Sequence, residues 1–380
     1  MGSAHHRSVA SRRLVSALAL LGLCAAACTE AHTQAAAPDV HDSTTTVAGI
    51  ADVVGTTLAS PIVSSATTSV TTGAPNSPPT SAPTSVTTGA AAPSDLVPGL
   101  MADVEAAAHL GPVPAGTPVA NAATDMPILY ADGCHVVWAA TSPKQGCVFG
   151  DTTSSVTVVV TGDSHAAAFF GAFDEAGKAN HWKIVMVTKQ GCPTADVSVY
   201  SAQNPSVHGV PYVACDQWRP HALAYIASLH PALVVFPLLS TRTVVGKPGA
   251  AGVRAWADGL GRSIDAVTQP GTKVLVIGDT PRTNGHQVPG CVAAHRNNVS
   301  PCGNPRSAAV DPAHMAIMAA AAAAHHAAFV DPSNWICNAT FCPAVIGTSI
   351  VYRDDHHLTD RFSRYRAPQV AEAVRAALNA

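Results

Sequence analysis

The apolar positions of this chain fall into short unbroken runs separated by longer mixed stretches. Val156 to Val160, Ile184 to Val187, Leu233 to Leu238, Val274 to Ile277 and Ala327 to Val330 contain almost no polar side chain and are rich in valine and isoleucine. Runs of this kind suit strands buried on both faces, whereas a strand with one wet face alternates apolar and polar positions. Between them, apolar spacing predicts helices over about 166–179, 216–229, 253–267 and 311–326. Ala367, Val370, Val374 and Leu378 mark one face of a last helix over about 363–378. The alternation predicts an α/β fold, a three-layer α/β/α arrangement around a mostly five-stranded parallel sheet, with ligands held at the carboxyl ends of the strands.

The first third reads differently. Arg7, Arg12 and Arg13 precede an apolar run from Leu14 to Cys28, short of the roughly twenty residues that span a bilayer. Residues 1–28 therefore read as an export signal, and Ala25-Ala26-Ala27-Cys28 resembles a lipobox with Cys28 as the lipidation candidate; cleavage and secretion is the alternative. Residues 29–95 are Ala, Thr, Ser and Pro with few large apolar side chains, which predicts a disordered tether. Residues 96–150 read as an extension packing on the domain formed by 151–380.

Charged residues make up 12% of the chain and the net charge is -3, so no basic face for nucleic acid is indicated. The eighteen histidines are scattered rather than spaced as ligands, so neither a metal nor another cofactor is expected. Beyond the signal the cysteines number eight: Cys134, Cys147, Cys192, Cys215, Cys291, Cys302, Cys337 and Cys342. An even count in an exported chain favours disulfides, and the short intervals favour pairing in sequence order.

Two stretches carry chemistry. The strand ending at Thr161 runs into Gly162-Asp163-Ser164-His165 and an alanine-rich helix, which places the Ser164 hydroxyl where a strand hands over to a helix. Backbone N–H groups at such a turn favour developing negative charge. A capping turn made by Asp163 and Ser164 is the plainer reading. Far along the chain, Tyr352-Arg353-Asp354-Asp355-His356-His357-Leu358-Thr359 sets a carboxylate three residues before a histidine. That spacing lets one turn bring Asp354 to the His357 imidazole and leave the other ring nitrogen for a serine proton. Asp355 with His356 is the neighbouring rival pair.

Together these stretches resemble the first and last blocks of the SGNH (GDSL-like) hydrolase superfamily. More narrowly they resemble the periplasmic SGNH domain fused to acyltransferase-3 membrane proteins that O-acylate bacterial surface polysaccharides. Thr188-Lys189-Gln190-Gly191-Cys192-Pro193, Cys215-Asp216-Gln217-Trp218-Arg219 and Gly278-Asp279-Thr280-Pro281 fall in the expected order, over about residues 130 to 380. The resemblance implies an SGNH/flavodoxin-like fold, Ser164 as nucleophile, His357 as base and Asp354 as its orienting acid. It implies oxyanion donors from the Ser164 and Gly191 N–H groups, and a signature block of Gly162, Asp163 and His165. It favours His357 over His356.

There are two departures. The third strand ends Phe236-Pro237-Leu238-Leu239-Ser240-Thr241-Arg242, without the asparagine that members of the superfamily supply to the oxyanion hole. Nor is there a run of apolar segments to make the membrane domain of the fused relatives. The expected function is an exported serine-dependent O-acyltransferase or esterase acting on acyl, above all acetyl, esters of envelope glycans or glycolipids. A separate membrane acyltransferase as acyl donor is one expected partner. The alternative from another class is a non-catalytic envelope lipoprotein that binds an acylated or sugar ligand in the same cleft. Thr283 to Cys302 reads as a long loop lining that cleft.

Overall fold

The computed structural model describes residues 98–109, 111–202 and 209–380. The expectations for the export signal, Cys28 and the 29–95 tether lie outside these residues. In chain order the strands are β1 (His135–Val136), β2 (Val148–Gly150), β3 (Thr157–Gly162), β4 (Lys183–Lys189), β5 (Leu233–Pro237), β6 (Lys273–Ile277), β7 (Asn304–Pro305), β8 (Ala328–Val330), β9 (Phe341–Cys342), β10 (Val345–Ile346) and β11 (Ser349–Ile350). The main helices are α1 (Pro98–Ala108), α2 (Ser164–Ala168), α3 (Phe170–Asn180), α4 (Val213–Ser228), α5 (Ala250–Val267), α6 (Val288–Ala294), a single turn α7 (Arg306–Ala309), α8 (Pro312–Ala324), α9 (Asp360–Tyr365) and α10 (Ala367–Asn379).

The five apolar runs form one parallel sheet in the order β4-β3-β5-β6-β8. Because side chains alternate across a strand, Val158 and Val160 enter one core and Val159 the other. The first core takes Phe173 of α3 and Val370 and Val374 of α10; the second takes Trp218 of α4, Leu260 and Ile264 of α5, and Met318 of α8. Helices therefore cover both faces, which is why the strands need no polar side. Of these five parallel strands the chain lays down β3 first, then β4 on one side and β5 on the other, and so creates a crevice where the winding reverses.

The sheet has seven strands rather than five, because the segment before β3 contributes two. β1 pairs parallel to the end of β4 at Thr188 and Lys189, and β2 pairs antiparallel to its beginning at Lys183 to Val185. The Cys134–Cys147 disulfide joins the starts of the two. All eight cysteines pair in sequence order, the others as Cys192–Cys215, Cys291–Cys302 and Cys337–Cys342.

Three local expectations need correction. The helix expected over 166–179 is two, α2 and α3, separated at Phe169. The last helix is likewise two, α9 and α10, with Thr359 accepting from the Phe362 N–H to start the first. Thr283 to Cys302 is not a bare loop but contains α6, whose Val288 and Val292 are one turn apart and fully buried, with Pro289 in its first turn.

Candidate active site

Four segments leave the carboxyl ends of neighbouring strands and converge on the crevice: Gly162 to His165 after β3, Gln190 to Pro193 after β4, Leu238 to Arg242 after β5, and Gly278 to Pro281 after β6. The first is shaped by Gly162, which holds φ of +154°. A side chain there would bring its Cβ within 2.8 Å of Ala166 Cβ and 3.0 Å of the Pro237 carbonyl. Asp163 is buried and accepts from the His165 N–H at 2.8 Å, capping α2, while burial raises its pKa against the opposing pull of His165. Ser164 opens α2.

The last block is a tight loop closed by the Tyr352–Leu358 bridge and by Arg353, whose N–H bonds the His357 carbonyl and whose guanidinium bonds the Leu358 carbonyl and the Tyr130 hydroxyl. At its tip Asp354 Oδ1 accepts from the backbone N–H groups of His356 and His357, at 2.9 and 2.7 Å. Its Oδ2 lies 2.7 Å from His357 Nδ1, and His357 Nε2 lies 2.8 Å from Ser164 Oγ. The three groups thus form one hydrogen-bonded series. Burial, reinforced by the charges of His165, His356 and Arg353, outweighs the Asp354 hydrogen bond and lowers the His357 pKa to about 4. Asp354 itself is held well below the ordinary carboxylate range, because its hydrogen bonds to His357 and the loop N–H groups outweigh its burial. At neutral pH the imidazole is a neutral acceptor for the serine proton, with a carboxylate anion behind it.

On the opposite wall, Gly191 holds φ of +57°, and a Cβ there would stand 2.2 Å from the Trp138 ring. Only glycine lets the chain turn this closely against that indole. Among the described residues, neither the Ser164 nor the Gly191 N–H has a protein acceptor. The Cys192–Cys215 disulfide anchors this turn to α4. Arg219 of α4 binds the Pro193 and Val197 carbonyls beyond it.

The model of the SGNH domain (fused to AT3 domains) matches residues 133–372 of this chain. The chain belongs to the SGNH family. Among solved structures it is similar to the periplasmic domain of the Salmonella ser. Paratyphi A lipopolysaccharide acetyltransferase, at 15% identity and a TM-score of 0.48, covering 69% of this chain and 98% of that one. It is also similar to the M. smegmatis aryl esterase, at 12% identity and a TM-score of 0.34 over 59% of this chain and 100% of that one. A third is Est24, a carbohydrate acetylesterase from Sinorhizobium meliloti, at 14% identity and a TM-score of 0.33 over 58% of this chain and 99% of that one. No curated protein matches. The protein is an SGNH-type enzyme, of acyl transfer or ester hydrolysis.

Beyond β5 of this SGNH domain, the segment Leu238 to Arg242 contains no asparagine and ends in a side chain that reaches back to Gly191, that of Arg242. Its guanidinium bonds the Gly191 carbonyl, with Nη1 at 3.1 Å, and the Tyr200 carbonyl. Burial lowers its pKa, against the attraction of Asp163. His165 pairs with Asp279 at 3.2 Å, and both are largely buried. Burial opposes a charged His165 ring, but Asp279, Asp163 and Asp354 together outweigh it and raise its pKa. His356 turns to Asp355 at 2.5 Å and stacks on His165, so it stands outside the Ser164 series.

Nitrogens of His165, His356 and His357 lie within 4.8 Å of one another. Both ring nitrogens of His357 are already engaged, and Nδ1 of His165 and of His356 face Asp279 and Asp355, so the group suits proton chemistry better than a tetrahedral ion. Arg242, Asp279, Tyr212, Arg353 and His135 had no assigned role in the sequence. Asp279 lies in Gly278-Asp279-Thr280-Pro281, yet nothing in its spacing points to His165.

Proposed function

We propose that Ser164 is the nucleophile of an acyl-enzyme mechanism. The hydrogen-bonded series Asp354–His357–Ser164 carries the reading. His357 Nε2 takes the hydroxyl proton as Oγ bonds to the ester carbonyl carbon. The tetrahedral oxyanion then collapses, the bond to the leaving alkoxide breaks, and His357 returns the proton to that oxygen. In the second half an acceptor hydroxyl, or water, gives its proton to His357 and attacks the acyl-serine; the acyl–Oγ bond breaks, His357 returns the proton to Ser164 Oγ, and the new ester or the acid is released. Asp354 keeps the ring in the productive tautomer and balances the imidazolium. The N–H groups of Ser164 and Gly191 bind the oxyanion; such donors are worth about 2.7–4 kcal/mol each.

The substrate class we propose is acyl esters, above all acetyl esters, of cell-envelope glycans or glycolipids. Four disulfides support an exported, oxidising setting. Among the described residues no helix is long and apolar enough to cross a membrane. The family's fusion to AT3 domains supports a separate membrane acyltransferase as source of the acyl group. Labelling with a fluorophosphonate, alongside turnover of an aryl acetate, tests the reading. Both should vanish in Ser164→Ala, and labelling that survives there would assign the chemistry elsewhere.

A further inference from the structure

Resting on the reading of the Gly191 N–H as an oxyanion donor, the geometry points to Tyr212 and Arg242 as positioning residues that aim this donor from the two peptide planes flanking it. The N–H of Gly191 belongs to the peptide whose carbonyl is that of Gln190. The Tyr212 hydroxyl lies 2.9 Å from this oxygen. In a planar trans peptide the C=O and N–H point in opposite directions, so fixing one fixes the other. A hydrogen bond to the carbonyl also polarises the amide and strengthens its N–H as a donor.

Tyr212 has a second acceptor within reach, the Trp138 carbonyl at 3.0 Å. That oxygen is already supplied by Lys189 Nζ at 2.5 Å, and the same ammonium bonds the Val137 carbonyl at 2.9 Å. The Gln190 carbonyl has no other donor among the described residues, so the single hydroxyl proton is of most use there. Arg242 fixes the following plane by bonding the Gly191 carbonyl. With both planes held, Gly191 cannot leave its positive φ without breaking one of the two clamps. The Trp138 ring closes the remaining side. Tyr212 is buried, which raises its phenol pKa and keeps the hydroxyl a donor across the working range. With no asparagine in the segment after β5, the site depends on how well this backbone donor is held.

The test compares the wild-type chain with Tyr212→Phe, Arg242→Ala and Arg242→Lys on an aryl acetate, together with inhibition by a boronic acid that forms a tetrahedral adduct on serine. Tyr212→Phe removes one hydroxyl and should lower kcat about tenfold, with KM within twofold and boronate affinity falling in parallel with kcat. Arg242→Ala should behave likewise and regain activity with millimolar guanidinium chloride, and Arg242→Lys should lie between. A purely structural role would move KM and thermal stability and leave the ratio of boronate to substrate affinity unchanged, which would overturn the inference. Wild-type kcat in Tyr212→Phe would overturn it alone; absence of turnover in the wild-type chain would remove it together with the reading beneath it.

Discussion

His357 Nε2 stands 2.8 Å from Ser164 Oγ although 193 residues separate the two in the chain. The parallel sheet delivers one end of this contact after β3, and the loop closed by Tyr352 and Leu358 delivers the other. His356, whose ring centroid is only 3.9 Å from that of His357, points to Asp355 instead. His357→Ala and Asp354→Asn should each lower kcat on an aryl acetate by three orders of magnitude or more, as a triad requires. His356→Ala should remain within a few-fold of wild type. Equal losses in all three would reassign the base.

Activity should follow the neutral form of His357, so the rate rises with pH. With its pKa lowered to about 4, the ascending limb lies near pH 4 rather than at the ordinary histidine value of 6.5, leaving a plateau from about pH 5 toward neutrality. The measurement is kcat/KM for an aryl acetate from pH 3.5 to 8, corrected for reversible acid unfolding. A midpoint near 6.5 would mean that the ring is more hydrated than its burial implies.

The same burial has a cost in acid. His135, 2% exposed and facing Thr188, has its pKa lowered to about 3, first by burial and then by the charges of His357, Arg353 and Lys189. Below pH 6.5 the unfolded chain binds a proton at this ring that the folded chain refuses, so stability falls as pH drops toward 3. The slope for one such group is roughly 1.4 kcal/mol per pH unit. His135→Phe should flatten the fall between pH 6 and 4 by that amount in chemical denaturation. An unchanged slope would show the ring to be protonated in the fold.

Gly191→Ala should be nearly inactive. Its Cβ would press on the Trp138 ring at 2.2 Å from a positive φ, costing about 1–3 kcal/mol or forcing the turn to move. Either way the Gly191 N–H moves off its aim, and the aryl acetate assay falls 10²-fold or more. Wild-type activity in this variant would remove Gly191 from the oxyanion site.

Replacing Cys192 and Cys215 by alanine should lower stability by roughly 2–4 kcal/mol, through the entropy of a loop whose ends are 23 residues apart. Because Cys192 adjoins Gly191, kcat should fall as well, whereas loss of Cys337–Cys342 should affect stability alone. Thermal melts with and without reductant, paired with turnover, separate the two.

The five central strands were legible because burial on both faces leaves no polar residue to break the run. β1 and β2 were not, since two and three residues carry no period, and Val148 is exposed. They exist through pairing with β4. The break at Phe169 and the helix at Val288 were hidden for a similar reason: both are decided by what packs against the segment. At the candidate site, Ser164, Asp354 and His357 stood out by residue type and local spacing. Tyr212, Arg242 and Asp279 act on carbonyls and rings distant in sequence, through contacts that no local pattern encodes.

The outer side of β4 bears on the solution behaviour of the protein. β1 covers its last two residues and β2 its first three, and Cys134–Cys147 ties the two covers together. At the far side of the sheet, β8 is only three residues long. Among the described residues, the oxidised sheet therefore presents no long row of free N–H and C=O groups on which another chain could add a strand. Reduction of this one bond would let the covers peel away and bare β4, a seven-residue edge with five consecutive apolar or threonine positions, Ile184 to Thr188, and make it a template for aggregation.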